Sequence, residues 1–126
     1  MLDKVIKLTL ISRPISWVNT AYPFGAALLL SGGKVDTLFW VGVVYFLIPY
    51  NLLMYGVNDV YDYESDIKNP RKGGVEGMKE ARAFHPTILR AVVWSNAPFL
   101  LFLLAAGDWP SRAVLTLVVF AAIAYS

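Results

Sequence analysis

Cysteine is absent from this 126-residue chain, which excludes a disulfide framework and a thiolate metal site. Charge is scarce: 16% of residues are charged and 57% are hydrophobic, too apolar a balance for an ordinary soluble domain. The scarcity is also organised. No charged side chain occurs within residues 14–33, 37–58, 91–107 or 113–126. A buried helix of a soluble protein of this size would need a polar face, and these runs show almost none. Residues 1–12 have scattered charges and no small-residue cleavage site, so a signal peptide is not expected. Gly73, Gly74 and Gly77 follow no strand pattern and form no nucleotide-binding fingerprint.

What is present reads as an all-α, polytopic transmembrane helical bundle. Val5, Leu8 and Ile11 at helical spacing predict an amphipathic lead-in over residues 1–13. A first span follows over 14–30, closed by the Ser31-Gly32-Gly33-Lys34 turn. The second span starts near Val35 and bends at Pro49. It runs without a stop through Asn58 until Asn69-Pro70, because the residue before proline disfavours the helical region. Residues 72–85 form a polar loop, and a third span covers 86–106 with Arg90 snorkelling at its edge. The chain turns at Gly107-Asp108-Trp109-Pro110, and a fourth span opens at Ser111. Of the 11 basic residues, nine fall on the side of the amino terminus and the 66–90 loop, and only Lys34 and Arg112 on the other. The positive-inside rule therefore predicts an integral membrane protein with its amino terminus and acidic segment in the cytoplasm.

That acidic segment carries the chemistry. Residues 37–57 rise roughly 32 Å as a helix, which uses up a bilayer core of about 30 Å. Asn58 then arrives at the interface, followed by Asp59, Asp62 and Asp66. On a continuing helix these four share one face. Like charges at that spacing repel, and they lie at the helix end where the macrodipole disfavours anions. Their oxygens suit a hard cation, and Mg²⁺ prefers one or two carboxylates completed by phosphate oxygens and water. The competing explanation is a solvated helix end paired with Lys68, Arg71 and Lys72. Against it stands the stripe leading in, where Asn51 and Tyr55 precede Asn58 on the same side and predict a partly polar cavity wall.

Asn58-Asp59-x-x-Asp62-x-x-x-Asp66, followed by Lys68-Asn69-Pro70-Arg71-Lys72, resembles the first aspartate-rich motif of the UbiA-type intramembrane prenyltransferases. The segments beginning Ser12-Arg13-Pro14-Ile15-Ser16-Trp17 and Pro70-Arg71-Lys72-Gly73-Gly74 resemble the carotenoid-directed branch, the lycopene elongases. The resemblance implies about nine membrane helices around a cavity, and Mg²⁺-dependent transfer of an allylic prenyl group from a prenyl diphosphate to a lipophilic acceptor. It implies metal contacts through Asn58, Asp62 and Asp66, with Asp59 set behind them. Arg71, Arg13 and, more weakly, Lys72 would meet the diphosphate, and Asn51 and Tyr55 would border the prenyl chain. The family's second aspartate-rich motif has no counterpart within residues 1–126. The chain is therefore expected to be the N-terminal part of a longer domain, inactive alone.

Lycopene is the leading acceptor, with a quinone precursor or a glycerol-phosphate lipid as alternatives. A non-enzymatic cation- or lipid-binding membrane protein is the alternative of another class. His85 and the four tryptophans read as interfacial or packing residues. The basic residues of 68–90 suit membrane lipids rather than nucleic acid.

Overall fold

A computed structural model describes residues 2–63, 68 and 82–125, which among themselves contain helices and turns and no strand. Helix α1 covers Leu2–Ile11, and a 3₁₀ turn, Pro14–Ser16, leads into α2, Trp17–Leu30. Next come α3, Thr37–Leu47, and α4, Pro49–Tyr61. A second 3₁₀ turn, Arg82–Phe84, precedes α5, His85–Ala106, and the last helix is α6, Trp109–Ala124. Two stretches, Thr37–Tyr61, helical on either side of Ile48, and Arg82–Ala106, are each 25 residues long and apolar enough to cross a bilayer. Val18, Leu101 and Phe120 are 65%, 71% and 70% exposed, a surface suited to lipid contact. The fold is that of an all-α membrane protein.

One expectation is met and one is corrected. The first apolar run is helical over the predicted residues 14–30, the 3₁₀ turn Pro14–Ser16 running directly into the 14 residues of α2. Arg13 adopts the left-handed conformation (φ 53°, ψ 79°), and Pro14 lacks an N–H, so the chain enters α2 through a tight turn. The second helix is interrupted at Asp62, and its expected end at Asn69 lies outside the described residues. Helix α4 ends at Tyr61 with Asp62 as its C-cap, whose N–H donates to the Asn58 carbonyl at 2.8 Å. Successive acids at a helix C-terminus face the negative end of the dipole, so leaving the helix there relieves the repulsion.

Helices α2 and α3 form a tight pair because Gly42 has no side chain. The Phe24 ring occupies the space that a Cβ at position 42 would need. Helix α4 packs on α5 in the same way, with Ile88 and Val92 closing over Gly56. Around that contact Ile11, Leu52, Leu53, Val57, Ile88, Val92 and Ala122 form the core, joining α1, α4, α5 and α6. Small residues that let helices approach are what packing in lipid requires, since dispersion replaces the hydrophobic effect there.

The predicted bend at Pro49 is a break one residue wide, at Ile48. Pro49 cannot donate to the preceding turn, which leaves carbonyls to satisfy. Asn51 Nδ2 supplies donors to the carbonyls of Leu47 at 2.9 Å and Phe46 at 3.2 Å, and also to Thr20 Oγ1 at 2.7 Å. Thr20 Oγ1 in turn donates to the Phe46 carbonyl. From α5, Asn96 Nδ2 donates to the Pro49 carbonyl at 2.9 Å. Interhelical polar contacts of this kind are worth about 0.6–2 kcal/mol each in a membrane.

Candidate functional site

The site gathers where α4 ends beside the α1–α2 connection. Ser12, 1% exposed, fixes that connection: its Oγ donates to the Thr9 carbonyl at 2.6 Å and accepts from Trp17 Nε1 at 3.0 Å. The next residue is the left-handed Arg13. A non-glycine residue held there costs about 1–3 kcal/mol and persists only where its surroundings enforce it. Here the enforcement is visible. Arg13 Nη2 lies 3.1 Å from Asp59 Oδ1, and the two side chains are 12% and 3% exposed. The guanidinium also stacks on Tyr55, with Cζ 4.1 Å from the ring centroid, and Tyr55 Oη is 3.4 Å from Ser16 Oγ.

Asn58 and Asp62, one turn apart, form a second and separate pair. Asn58 Nδ2 donates to Asp62 Oδ2 at 2.7 Å. That bond assigns the amide orientation and leaves Asn58 Oδ1 and Asp62 Oδ1 as oxygen donors. Both residues are half-buried at the negative end of the α4 dipole, where a cation is favoured. The donor chemistry fits Mg²⁺, for which few carboxylate contacts suffice when water and phosphate complete the shell.

The motif is thus divided. Asp59 faces Arg13 instead of joining Asn58 and Asp62 on one shared face, because one residue of helix turns the side chain by about 100°. Among the described residues no three acidic or histidine side chains converge. Asp66, Arg71 and Lys72 lie outside the described residues. Tyr55, expected beside the prenyl chain, has a ring that meets the Arg13 cation. Asn51, expected on the same wall, is fully buried with its amide nitrogen engaged at the Pro49 break. Thr20, Ser12 and Ser16 were not singled out by the sequence. Ser12 and Ser16 stood only within the segment beginning Ser12-Arg13-Pro14, and Thr20 as a hydroxyl inside an uncharged run.

An apolar cavity of about 390 Å³ lies toward the opposite end of the bundle, among Phe24, Leu28, Leu38, Phe46, Leu103 and Val118. At that end the acids are caps. Asp36 accepts from the Phe39 N–H at 3.1 Å and Asp108 from the Ser111 N–H at 3.0 Å, each opening a helix. Those hydrogen bonds from Ser111 hold the Asp108 carboxyl below its ordinary pKa.

Over all 126 residues the chain is 59% identical to a lycopene elongase/hydratase of Corynebacterium glutamicum, and it spans 44% of that protein. It is 51% identical over 115 residues, 91% of the chain and 27% of the relative, to the C(50) beta-cyclic carotenoids biosynthesis protein LbtBC of a Dietzia species. It is 35% identical over 110 residues, 84% of the chain and 40% of the relative, to a lycopene elongase/hydratase of Halobacterium salinarum. The chain therefore spans less than half the length of these relatives. No family model and no solved structure matches it. Similarity to carotenoid-biosynthesis proteins extends along the whole chain.

Proposed function

We propose that this chain bears the donor-diphosphate half of the active site of a UbiA-type intramembrane prenyltransferase acting on a carotenoid such as lycopene. The observation that carries the reading is the Asn58–Asp62 pair at the end of an apolar helix, in a chain similar throughout to lycopene elongase/hydratases. The buried Arg13–Asp59 pair beside it pins the α1–α2 connection to the same end of α4.

In this reading Asn58 Oδ1, the Asp62 carboxylate and Asp66 would hold Mg²⁺, which when bound would supply positive charge to the departing diphosphate. The allylic C–O bond breaks with both electrons leaving on the diphosphate, and the electron pair of an acceptor double bond then forms the new C–C bond. Loss of a proton, or addition of water followed by loss of its proton, quenches the cation left on the acceptor. Arg71 and Lys72 bind diphosphate oxygens, and Arg13 adds its charge from behind Tyr55. The apolar helices exclude water from the allylic cation. Nine of 11 basic residues on one side favour a cytoplasmic site, where a water-soluble donor arrives.

The test is transfer of labelled dimethylallyl diphosphate by membranes containing the full-length protein. Product on lycopene that requires Mg²⁺ and disappears in Asp62→Ala is expected. Product on an aromatic acid and none on lycopene would refute the acceptor, and Mg²⁺-independent turnover would refute the mechanism.

A further inference from the structure

The break at Ile48 is costly for a membrane-crossing helix. It brings Asn51 and Asn96, 0% and 4% exposed, into the bundle interior and recruits Thr20 from a third helix. A straight apolar helix would need none of these groups. All of them converge on one point: Asn51 and Thr20 hold the carbonyls on the α3 side, and Asn96 holds the first carbonyl of α4. Aromatic rings seal the break, with Phe46 5.1 Å from Phe24 and 5.2 Å from Tyr50, and Tyr45 6.0 Å from Phe99. Ile48 (φ −115°, ψ −60°) is the joint between α3 and α4, and the far turn of α4 carries Asn58 with Asp62 as its C-cap.

We infer that Thr20, Asn51 and Asn96 form a polar clasp that sets the angle of α4 and are positioning residues for the Asn58–Asp62 oxygens. The inference rests on the proposed function, since it names what aims that ion site. Lever geometry gives it weight. Asp62 lies about 20 Å along α4 from Ile48, so a change of about 10° in the bend moves it by roughly 3–4 Å. Misplacement by only about 1 Å is enough to cost a reaction about 100-fold. The clasp touches neither donor nor acceptor oxygens and acts through α4 alone.

The test uses the full-length protein in lipid nanodiscs, in two variants. Pro49→Ala/Asn51→Leu removes the main clasp residue and returns an N–H to position 49, so the helix can straighten without an unpaired carbonyl. Asn96→Leu loosens the clasp from α5 and leaves Pro49 in place. The chain has no cysteine. Spin labels can therefore be placed through cysteines substituted at Tyr61, 70% exposed, paired in turn with Trp94 of α5 and Val5 of α1, which are 76% and 53% exposed. These partners lie outside the α3–α4 rod, so the distances read the sideways swing of the α4 end. The double variant is expected to change at least one label distance by roughly 3 Å, as the lever predicts. It should also raise the Mg²⁺ concentration for half-maximal turnover about tenfold or more and lower kcat, as displaced ligands require. Asn96→Leu should move both readouts in the same direction by less, and it serves alone if the double variant fails to insert. Unchanged distances in both pairs would overturn the inference, as would a changed distance with unchanged Mg²⁺ dependence and kcat. If the unaltered protein transfers no prenyl group, the proposed function falls, and the label distance still decides whether the clasp sets the angle.

Discussion

Aspartates stand at both ends of this bundle and have opposite circumstances. Asp36 and Asp108 open α3 and α6, where unpaired N–H groups and the positive end of the dipole welcome a carboxylate. Asp59 and Asp62 stand at the closing end of α4, where the dipole repels them. At the first end each acid is satisfied by its own helix. At the second no free N–H groups are at hand: Asp59 is met by Arg13, 46 residues away, and Asp62 by the side-chain amide of Asn58 one turn back. An acid kept where its own helix disfavours it marks the end at which external positive charge is wanted.

The contrast can be broken most sharply at Asp62. Asp62→Ala should reduce prenyl transfer by about 1,000-fold or more, the scale expected when a charge-stabilising group in the site is lost. Radiolabelled product formation measures it, and activity within about threefold of the unaltered protein would end the assignment.

Arg13 comes next. Removing one partner of a buried ion pair costs about 3–5 kcal/mol. Arg13→Ala should therefore destabilise strongly, while Arg13→Ala/Asp59→Ala should recover a large part of that loss. Thermal unfolding of the detergent-solubilised protein, read by tryptophan fluorescence, provides the cycle. Equal destabilisation by the single and double variants would show that the pair is not coupled.

At the capping end the effects should be smaller and confined to stability. Asp36→Ala should cost about 1 kcal/mol, as loss of an N-cap does, with turnover of the intact protein unchanged. A fall in turnover matching that of Asp62→Ala would erase the distinction between the ends. The smallest effect is in pH. Asp108 has a folded pKa below its unfolded value, so its contribution is present above the ordinary carboxylate range. It is lost as pH falls through the folded pKa, and Asp108→Asn should flatten that part of the stability profile. Unfolding midpoints measured from pH 5 downward in both proteins test the sign.

Much of this arrangement was legible in the sequence. Uncharged runs located the helices, Pro49 announced the break, and Gly107-Asp108-Trp109-Pro110 announced the turn into α6. The end of α4 at Tyr61 was missed, because the absence of any proline or glycine before Pro70 hides a helix stop that is electrostatic. The tight entry into α2 was not legible, because Arg13 is held left-handed beside Asp59 and Tyr55, both more than 40 residues away. Asn51 was legible as a buried amide, but its partner Thr20 belongs to another helix, and no local pattern specifies that meeting. The caps at Asp36 and Asp108 carried a readable signal, an acid directly before an apolar run. It was overshadowed by the acids at 59–66.

The fit of Phe24 into the space above Gly42 makes position 42 a gauge of how closely α2 lies on α3. The ring fills the place that a Cβ would take, so even an alanine there must push Phe24 aside. Phe24 also meets Phe46, two residues before the Ile48 break. A side chain at position 42 would therefore be felt first in the spacing of two helices and then in the aromatic seal around the break.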